Sequence, residues 1–359
     1  MTSFTFPGLT TRVVFGHGTL ARTGHEITRL GHSRVLVLST PHQEPQAQAL
    51  ADQLGALSVG VFAGAAMHTP TQVTEAALAA FAATGATAVV SLGGGSTTGL
   101  GKAIATRTGA DQVVIPTTYA GSEMTDILGE TRGGQKTTRR DPSIRPEVVI
   151  YDVDLTLTLP VSMTMTSGMN ALAHAMEAFY APDLNPVIDL MCREAMRAFH
   201  DGLPVLATDP HNGPARARTL LGAWFCSAAL GSVTMALHHK LAHVLGGSFN
   251  TPHAETHAIL LPHTTAFNAV AVPEALAPIA QIFGATSGTG PRTGPGAALW
   301  DFATRIGAPM RLADLGLREA DLDRAADIAV QNPYANPRPI DREGIRHLLQ
   351  DAFTGQRPT

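Results

Sequence analysis

Residues 88–103 read AVVSLGGGSTTGLGKA. Ala88 to Leu92 is a short apolar, β-branched run, and Gly93-Gly94-Gly95-Ser96 interrupts it. A helix-compatible stretch through Gly101, Lys102 and Ala103 follows. Strand, glycine turn and helix start in this order leave open N–H groups at a helix N-terminus, with no Cβ to hold a ligand away from the backbone. The spacing matches neither a Walker loop nor GxGxxG. Similar runs lie on either side: Val35–Leu38 ends at Ser39-Thr40-Pro41, Val113–Ile115 ends at Pro116-Thr117-Thr118, and Val148–Asp152 closes the series. Alanine-rich stretches with apolar spacing near 3.6, such as Gln46–Leu54 and Thr71–Ala83, predict helices between them. Short apolar strands alternating with helices predict a parallel sheet covered on both faces, with ligands beyond the carboxyl ends of its strands. Gly94, Gly95, Ser96, Thr117, Thr118 and Ser122 are then the candidate cofactor contacts. Gly16-His17-Gly18, after Val13–Phe15, reads as a hairpin or turn.

After Tyr151-Asp152 the pattern changes to long amphipathic helices. Candidates are 168–180, 187–200, 215–230, 235–245, 297–306 and 319–330, with loops at 287–296 (SGTGPRTGPG) and 331–339 (QNPYANPRP). We expect an α/β nucleotide-type domain over 1–157 and an all-helical domain over 158–359.

Lys and Arg number 25 against 29 Asp and Glu, a net charge of −4 with no long basic run. That argues against a nucleic-acid partner, which needs clustered cations. Apolar residues are 44% and charged residues 15% of the chain, enough for a large core and too apolar for disorder. No apolar run approaches the ~20 residues of a membrane helix. The opening MTSFTFPGLTTR lacks the layout of a secretory signal. Cys192 and Cys226 make no disulfide framework. A cytoplasmic protein without a membrane partner is the expectation.

The fifteen histidines stand out, and six of them lie between 238 and 263. Asn170 and His174 are four apart in SGMNALAHAMEAFYA, so they share a helix face. His239 and His243 repeat the spacing in LHHKLAHVLGG, in a helix expected to end at Gly246-Gly247, and Pro252-His253 follows. One such histidine is ordinarily a hydrogen-bonded structural residue. Paired i,i+4 positions with a third after a turn are the geometry of a divalent-metal site, here without a carboxylate at its first position.

GGGSTTGLGKA, PTTYAGSEMT, SGMNALAHAMEA and HHKLAHVLGGSFNTPHAETHAILLPH, in this order, resemble the iron-containing alcohol dehydrogenase family over nearly the whole chain, which implies a dinucleotide-binding first domain, a helical catalytic second domain and an active site in the cleft between them. PTTYAGSEMT, the Asn of SGMN, HHKLAH and NPYANPRP are similar to its maleylacetate-reducing branch. The resemblance implies an Asp and three His as metal ligands, falling on Asn170, His174, His239 and His253, and a further active-site histidine at His243. An amide brings no charge to a dication, and the branch works without a metal, so none is expected. Two more departures are Gly99, where many relatives carry Asp, and Thr40, where NAD-preferring relatives carry Asp. Without that carboxylate a 2′-phosphate is not repelled, so NADH or NADPH is the expected cofactor.

The implied reaction reduces the conjugated double bond of maleylacetate, a small dicarboxylate, to 3-oxoadipate in aromatic-compound catabolism. Hydride adds β to the ketone and an enolate forms that needs a donor and then a proton. His243 is the expected proton donor. His174, His239 and His253 bind substrate oxygens, Asn170 orients the substrate, and Lys240 clamps a carboxylate. In relatives a metal and one Asp sum to +1, and Lys240 with Asn170 gives the same. Lys136 aligns with a lysine near the nicotinamide ribose. Arg139, Arg140 and Arg338 are further candidate carboxylate partners, and Tyr119 packs on the nicotinamide or the substrate, or is a half-buried loop aromatic. His238, His257 and His263 read as structural. A homodimer is expected from the resemblance and from common symmetry. The competing readings are a metal-dependent alcohol or polyol dehydrogenase and a non-catalytic metal- or nucleotide-binding protein.

Overall fold

The structure, a computed structural model, describes residues 3–133, 135–284, 293–331 and 334–359, with the backbone alone at 135 and 136. The chain forms two compact units, Pro7–Leu159 and Met1–Phe6 with Pro160–Thr359.

The first unit carries β1 (Arg12–Gly16), α1 (Thr23–Arg29), β2 (Val35–Leu38), α2 (Glu44–Leu54), β3 (Ser58–Phe62), α3 (Thr71–Thr84), β4 (Ala88–Gly93), α4 (Gly95–Thr108), β5 (Asp111–Pro116), β6 (Ile127–Arg132), β7 (Gln135–Arg140) and β8 (Val148–Asp152). Six strands form one sheet in the order β1-β8-β5-β4-β2-β3, with every pair parallel. The uninterrupted apolar runs are explained by burial on both faces. Val35, Val37, Ala88, Val90, Val113, Ile115, Val148 and Ile150 pack with Ile27, Leu50 and Leu54 on one side. Leu36, Leu38 and Val89 pack with Phe81, Leu100 and Ile104 on the other. This is the period of two that a pleated strand imposes.

In this unit one open expectation is resolved and two features went unforeseen. Val13–Phe15 belongs to β1, an edge strand parallel to β8, and Gly16–Gly18 turns into a short 3-10 helix at Thr19–Arg22, so it is a turn and not a hairpin. β3 went unforeseen because Gly60, at φ +145, breaks its apolar run. The QKTTRR stretch is a strand of the antiparallel β6–β7 hairpin, hidden by its polar composition.

The second unit contains α5 (Val161–Ala178), α6 (Pro186–Thr208), α7 (Gly213–Ser232), α8 (Leu237–Phe249), α9 (His253–Ala269), α10 (Pro273–Phe283), α11 (Pro295–Arg305), α12 (Leu322–Ala329) and α13 (Arg342–Thr354). No strand occurs among its described residues. α8 runs through Gly246-Gly247 and stops at Asn250, which takes the left-handed conformation at φ +55 with its N–H on the Leu245 carbonyl. Asparagine is the usual substitute for glycine there. α9 and α10 escaped the sequence reading because each holds an internal proline, Pro262 and Pro278, which ordinarily argues against helix. Most of the 287–296 loop lies outside the described residues, as do 332 and 333 of the 331–339 loop. Among the described residues no single helix is long and apolar enough to cross a membrane.

Candidate functional site

In the first unit β3 lies on one side of β2 and β4 on the other, so the connections reverse direction between β2 and β4. Ligands of open parallel sheets bind at the carboxyl ends of such a pair. β4 ends there on Gly93, at φ +150, where an added Cβ would lie 2.5 Å from Thr97 Oγ1 and 2.8 Å from Gln43 Oε1. The Gly93 carbonyl accepts the Thr117 N–H at 3.0 Å. Gly94 caps α4, and a Cβ on it would meet Thr118 Oγ1 at 3.0 Å. Gly94, Gly95 and Ser96 are half-buried at the open end of α4, where N–H groups lack helical partners and attract phosphate.

Thr40, Thr117, Thr118 and the glycine turn therefore meet at one place. Gln43, which the sequence reading passed over, ties them together. Its Nε2 donates to Thr117 Oγ1 at 3.1 Å, and its Oε1 accepts from Thr40 Oγ1 at 3.4 Å. Ser122 is half-buried on the loop beyond β5. At Gly99 a Cβ would lie 2.5 Å from Thr69 Oγ1, and His68 and Thr69 hold left-handed φ values of 63 and 46. The space that a side chain at position 99 would take is filled by the Thr69 side chain. Tyr119 is fully buried, so its ring belongs to the interior. Arg139 pairs with Glu130 at 3.6 Å and Arg140 with Asp126 at 3.3 Å, both within the β6–β7 region. Lys136 lies on β7, and its side chain is outside the described part.

In the second unit α5 sets Asn170, His174 and Glu177 along one buried face. Glu177 is the residue that organises the cluster, and the sequence reading missed it. Its Oε2 accepts from His239 Nδ1 at 2.6 Å and from the Ala236 N–H at 2.8 Å. Its Oε1 accepts the His238 N–H at 2.7 Å and the Tyr180 hydroxyl at 3.0 Å. The carboxylate thus caps the start of α8, where open N–H groups favour an anion. Burial pushes the Glu177 carboxyl up, but the His239 hydrogen bond, the nearby His239 and His238 rings and the Ala236 N–H prevail and bring it down to about 2.

An ionised Glu177 fixes the proton of His239 on Nδ1. His239 Nε2 lies 2.9 Å from His174 Nδ1, so with both rings neutral His174 donates to His239. A second chain runs alongside. The Thr264 hydroxyl donates to the Leu260 carbonyl at 3.0 Å, so its oxygen accepts from His238 Nδ1 at 2.9 Å. His238 Nε2 then accepts from His257 Nδ1 at 2.9 Å. Burial, reinforced by the neighbouring His239, lowers His238 to about 3, and burial with the surrounding rings lowers His257 well below the usual range.

The His257 ring lies 4.4 Å from that of His253 and 5.1 Å from that of His239. His238 and His257, read as structural, are buried and packed within the cluster. His263 is also buried and is lowered to about 4 by burial. His243 is exposed, with its ring 6.3 Å from His239 and 6.5 Å from His253. The Lys240 ammonium sits over the Tyr334 ring at 5.4 Å. Arg338 lies over Phe267 at 4.0 Å.

A parallel α/β unit with a glycine turn at its point of reversal, followed by a helical unit with a buried histidine–carboxylate cluster, defines a dinucleotide-dependent oxidoreductase. The chain belongs to the iron-containing alcohol dehydrogenase family: the profile described as iron-containing alcohol dehydrogenase matches residues 10–153, and that of the family's C-terminal part matches residues 164–353. It is 56% identical to the maleylacetate reductase of Rhizobium sp. strain MTP-10005, over 100% of both chains. It is 49% identical to maleylacetate reductase 1 of Rhodococcus opacus, over 99% of this chain and 98% of the relative. The crystal structure of maleylacetate reductase from Agrobacterium tumefaciens superimposes with a TM-score of 0.95 at 56% identity, covering 100% of both chains.

Proposed function

We propose that this protein reduces the carbon–carbon double bond of maleylacetate to 3-oxoadipate with NADH or NADPH, without a metal ion. The reading is carried by the Glu177–His239–His174 chain beside Asn170, in a sequence alike over its full length to proteins called maleylacetate reductase. Three imidazoles alone can hold zinc, so the geometry matters more than the residue count. His174 Nδ1 and His239 Nε2 face one another and share a proton, so neither of these nitrogens turns a lone pair to an ion. Asn170 supplies no compensating charge.

The bound dinucleotide supplies the hydride that adds β to the ketone. In our reading Gly94, Gly95 and Ser96 hold its phosphates, Thr117, Thr118 and Ser122 its polar edges, and Thr40 the ribose. The resemblance assigns Lys136 to the nicotinamide ribose. Asn170, His174 and His253 hold the substrate oxygens, the ketone oxygen among them, where charge develops, while His239, with one nitrogen on Glu177 and the other on His174, orients His174. Lys240 clamps a carboxylate, for which its ammonium leaves the Tyr334 ring. Exposed His243 carries protons from solvent toward the substrate. Glu177 changes the charge arithmetic: Lys240 at +1 and Glu177 at −1 sum to zero. A proton taken up by the His239–His174 pair restores +1 for a dianionic substrate and is available to the enolate carbon.

The test is NADH and NADPH oxidation with maleylacetate before and after prolonged EDTA treatment. Turnover that survives the chelator is expected. Turnover abolished by EDTA and restored by zinc or iron would return the mechanism to Lewis-acid catalysis. No turnover in either condition would remove maleylacetate as the substrate.

A further inference from the structure

Lys102 is fully buried in α4, two turns beyond the glycine turn, and nothing in the reaction outlined above uses it. Its Nζ donates to the Ser122 carbonyl at 2.5 Å, Thr125 Oγ1 at 2.8 Å and the Ile127 carbonyl at 3.0 Å, with Ser122 Oγ at 3.2 Å. All four partners are neutral and all lie in the 122–127 stretch that closes the loop bearing Thr117, Thr118 and Ser122. The same stretch is pinned from other sides. The Tyr151 hydroxyl holds Glu123 at 2.9 Å, and Arg140 and Arg145 hold Asp126 at 3.3 and 3.4 Å.

A buried ammonium is expensive to desolvate. Burial lowers Lys102 to about 7 against the pull of Glu123 and Asp126. An apolar side chain of the same length would fill the space without that cost, so packing does not account for the lysine. Geometry does. The Thr125 hydroxyl donates to the Ser122 carbonyl at 3.0 Å, which leaves its oxygen to accept from Lys102. Ser122 Oγ faces the ammonium with a lone pair, so its proton points away from Lys102 on a half-buried side chain. The same α4 presents the glycine turn, and Gly94 and Gly95 lie against Thr118 and Ala120 of the loop.

We propose that Lys102 is a positioning residue for the dinucleotide: it locks the hydroxyl loop to the glycine helix and turns the Ser122 hydroxyl into an outward hydrogen-bond donor for a cofactor oxygen. This rests on the dinucleotide reading above but not on the identity of the substrate.

The test is direct titration of NADH by fluorescence on the wild type, Lys102→Met and Thr125→Val, with KM for maleylacetate at saturating NADH as the control. Lys102→Met is expected to weaken NADH about tenfold, and Thr125→Val, which removes one partner, about threefold. The substrate KM stays within about twofold. If Lys102→Met does not fold, Thr125→Val decides. A folded variant with wild-type NADH affinity overturns the proposal, as does a substrate KM that rises in step with the NADH constant, which would mark a general loss of structure. Wild-type protein that binds NADH but leaves maleylacetate untouched overturns the substrate reading alone. Wild-type protein that does not bind NADH overturns both.

Discussion

The glycine turn of the first unit and the histidine cluster of the second solve different problems with opposite means. The turn is made by leaving atoms out: at Gly93 and Gly94 a single added carbon meets Thr97, Gln43 or Thr118 at 3.0 Å or less. Its polar groups are backbone N–H groups and hydroxyls, none of which titrates near neutral pH. The cluster is made by putting titratable groups in, with Glu177, His174, His238, His239 and His257 all buried. Shape is therefore the sensitive variable at the first place, and proton inventory at the second.

Glu177→Gln breaks that comparison most severely, because it preserves shape and changes the protons. Glutamine has one accepting oxygen where Glu177 uses two to accept five donors, among them His239 Nδ1 and the Ala236 N–H. The His239 tautomer is no longer enforced, and the His174–His239 bond loses its polarity. By analogy with carboxylates that orient a histidine in other enzymes, kcat should fall about 100-fold or more, while the NADH dissociation constant stays within twofold. Steady-state kinetics and fluorescence titration separate the two. A kcat within threefold of wild type would end the case for Glu177, and an equal loss in NADH affinity would show that the two places are not independent.

Acid stability is a second way to tell them apart. His238 and His263 lie at about 3 and 4 when folded, and His257 is lowered in the same direction, against about 6.5 in an unfolded chain. The unfolded chain therefore binds more protons below pH 6.5, and folding stability drains away as pH falls from there. The expected loss is about 1.4 kcal/mol per pH unit for each histidine. Glu177, at about 2 folded and about 4.3 unfolded, adds to the loss only below about pH 4.5. Both tryptophans, Trp224 and Trp300, lie in the helical unit, so their fluorescence reports the relevant part in urea unfolding. The midpoint should drop clearly between pH 7 and pH 5, and a flat profile over that range would contradict the neutral, buried histidines.

How much of this was legible in the sequence follows from the same contrast. Strands buried on both faces write themselves as continuous apolar runs, and a turn without side chains writes itself as glycines, so the first unit's core and glycine turn could be read directly. The i,i+4 spacing exposed Asn170, His174, His239 and His243. Glu177 stayed hidden because an acid on an alanine-rich helix ordinarily faces solvent. Its signal was spacing: seven residues after Asn170 and three after His174, it shares their face. His257 was obscured by Pro262 within the same helix, and Gln43 because amides carry no pattern of their own. No sequence rule places Thr69 in the space beside Gly99, since that contact depends on two left-handed residues in a distant loop.

Lys240→Met should have the smallest effect, and it asks whether the cluster's charge extends beyond its buried residues. The ammonium rests over the Tyr334 ring, an interaction of about 0.5–1 kcal/mol at a partly exposed site, so drawing it away toward a substrate carboxylate is inexpensive. Methionine keeps the length and most of the packing of the lysine stem while removing the charge. A point charge clamping one end of a dianion should then be lost as uniform binding, with KM for maleylacetate rising about fivefold at nearly constant kcat. The melting temperature should stay within a degree or two, because exposed cation–π contacts stabilise little. An unchanged KM would confine Lys240 to its tyrosine and leave the cluster's own proton, held above Glu177, as the positive charge facing the substrate.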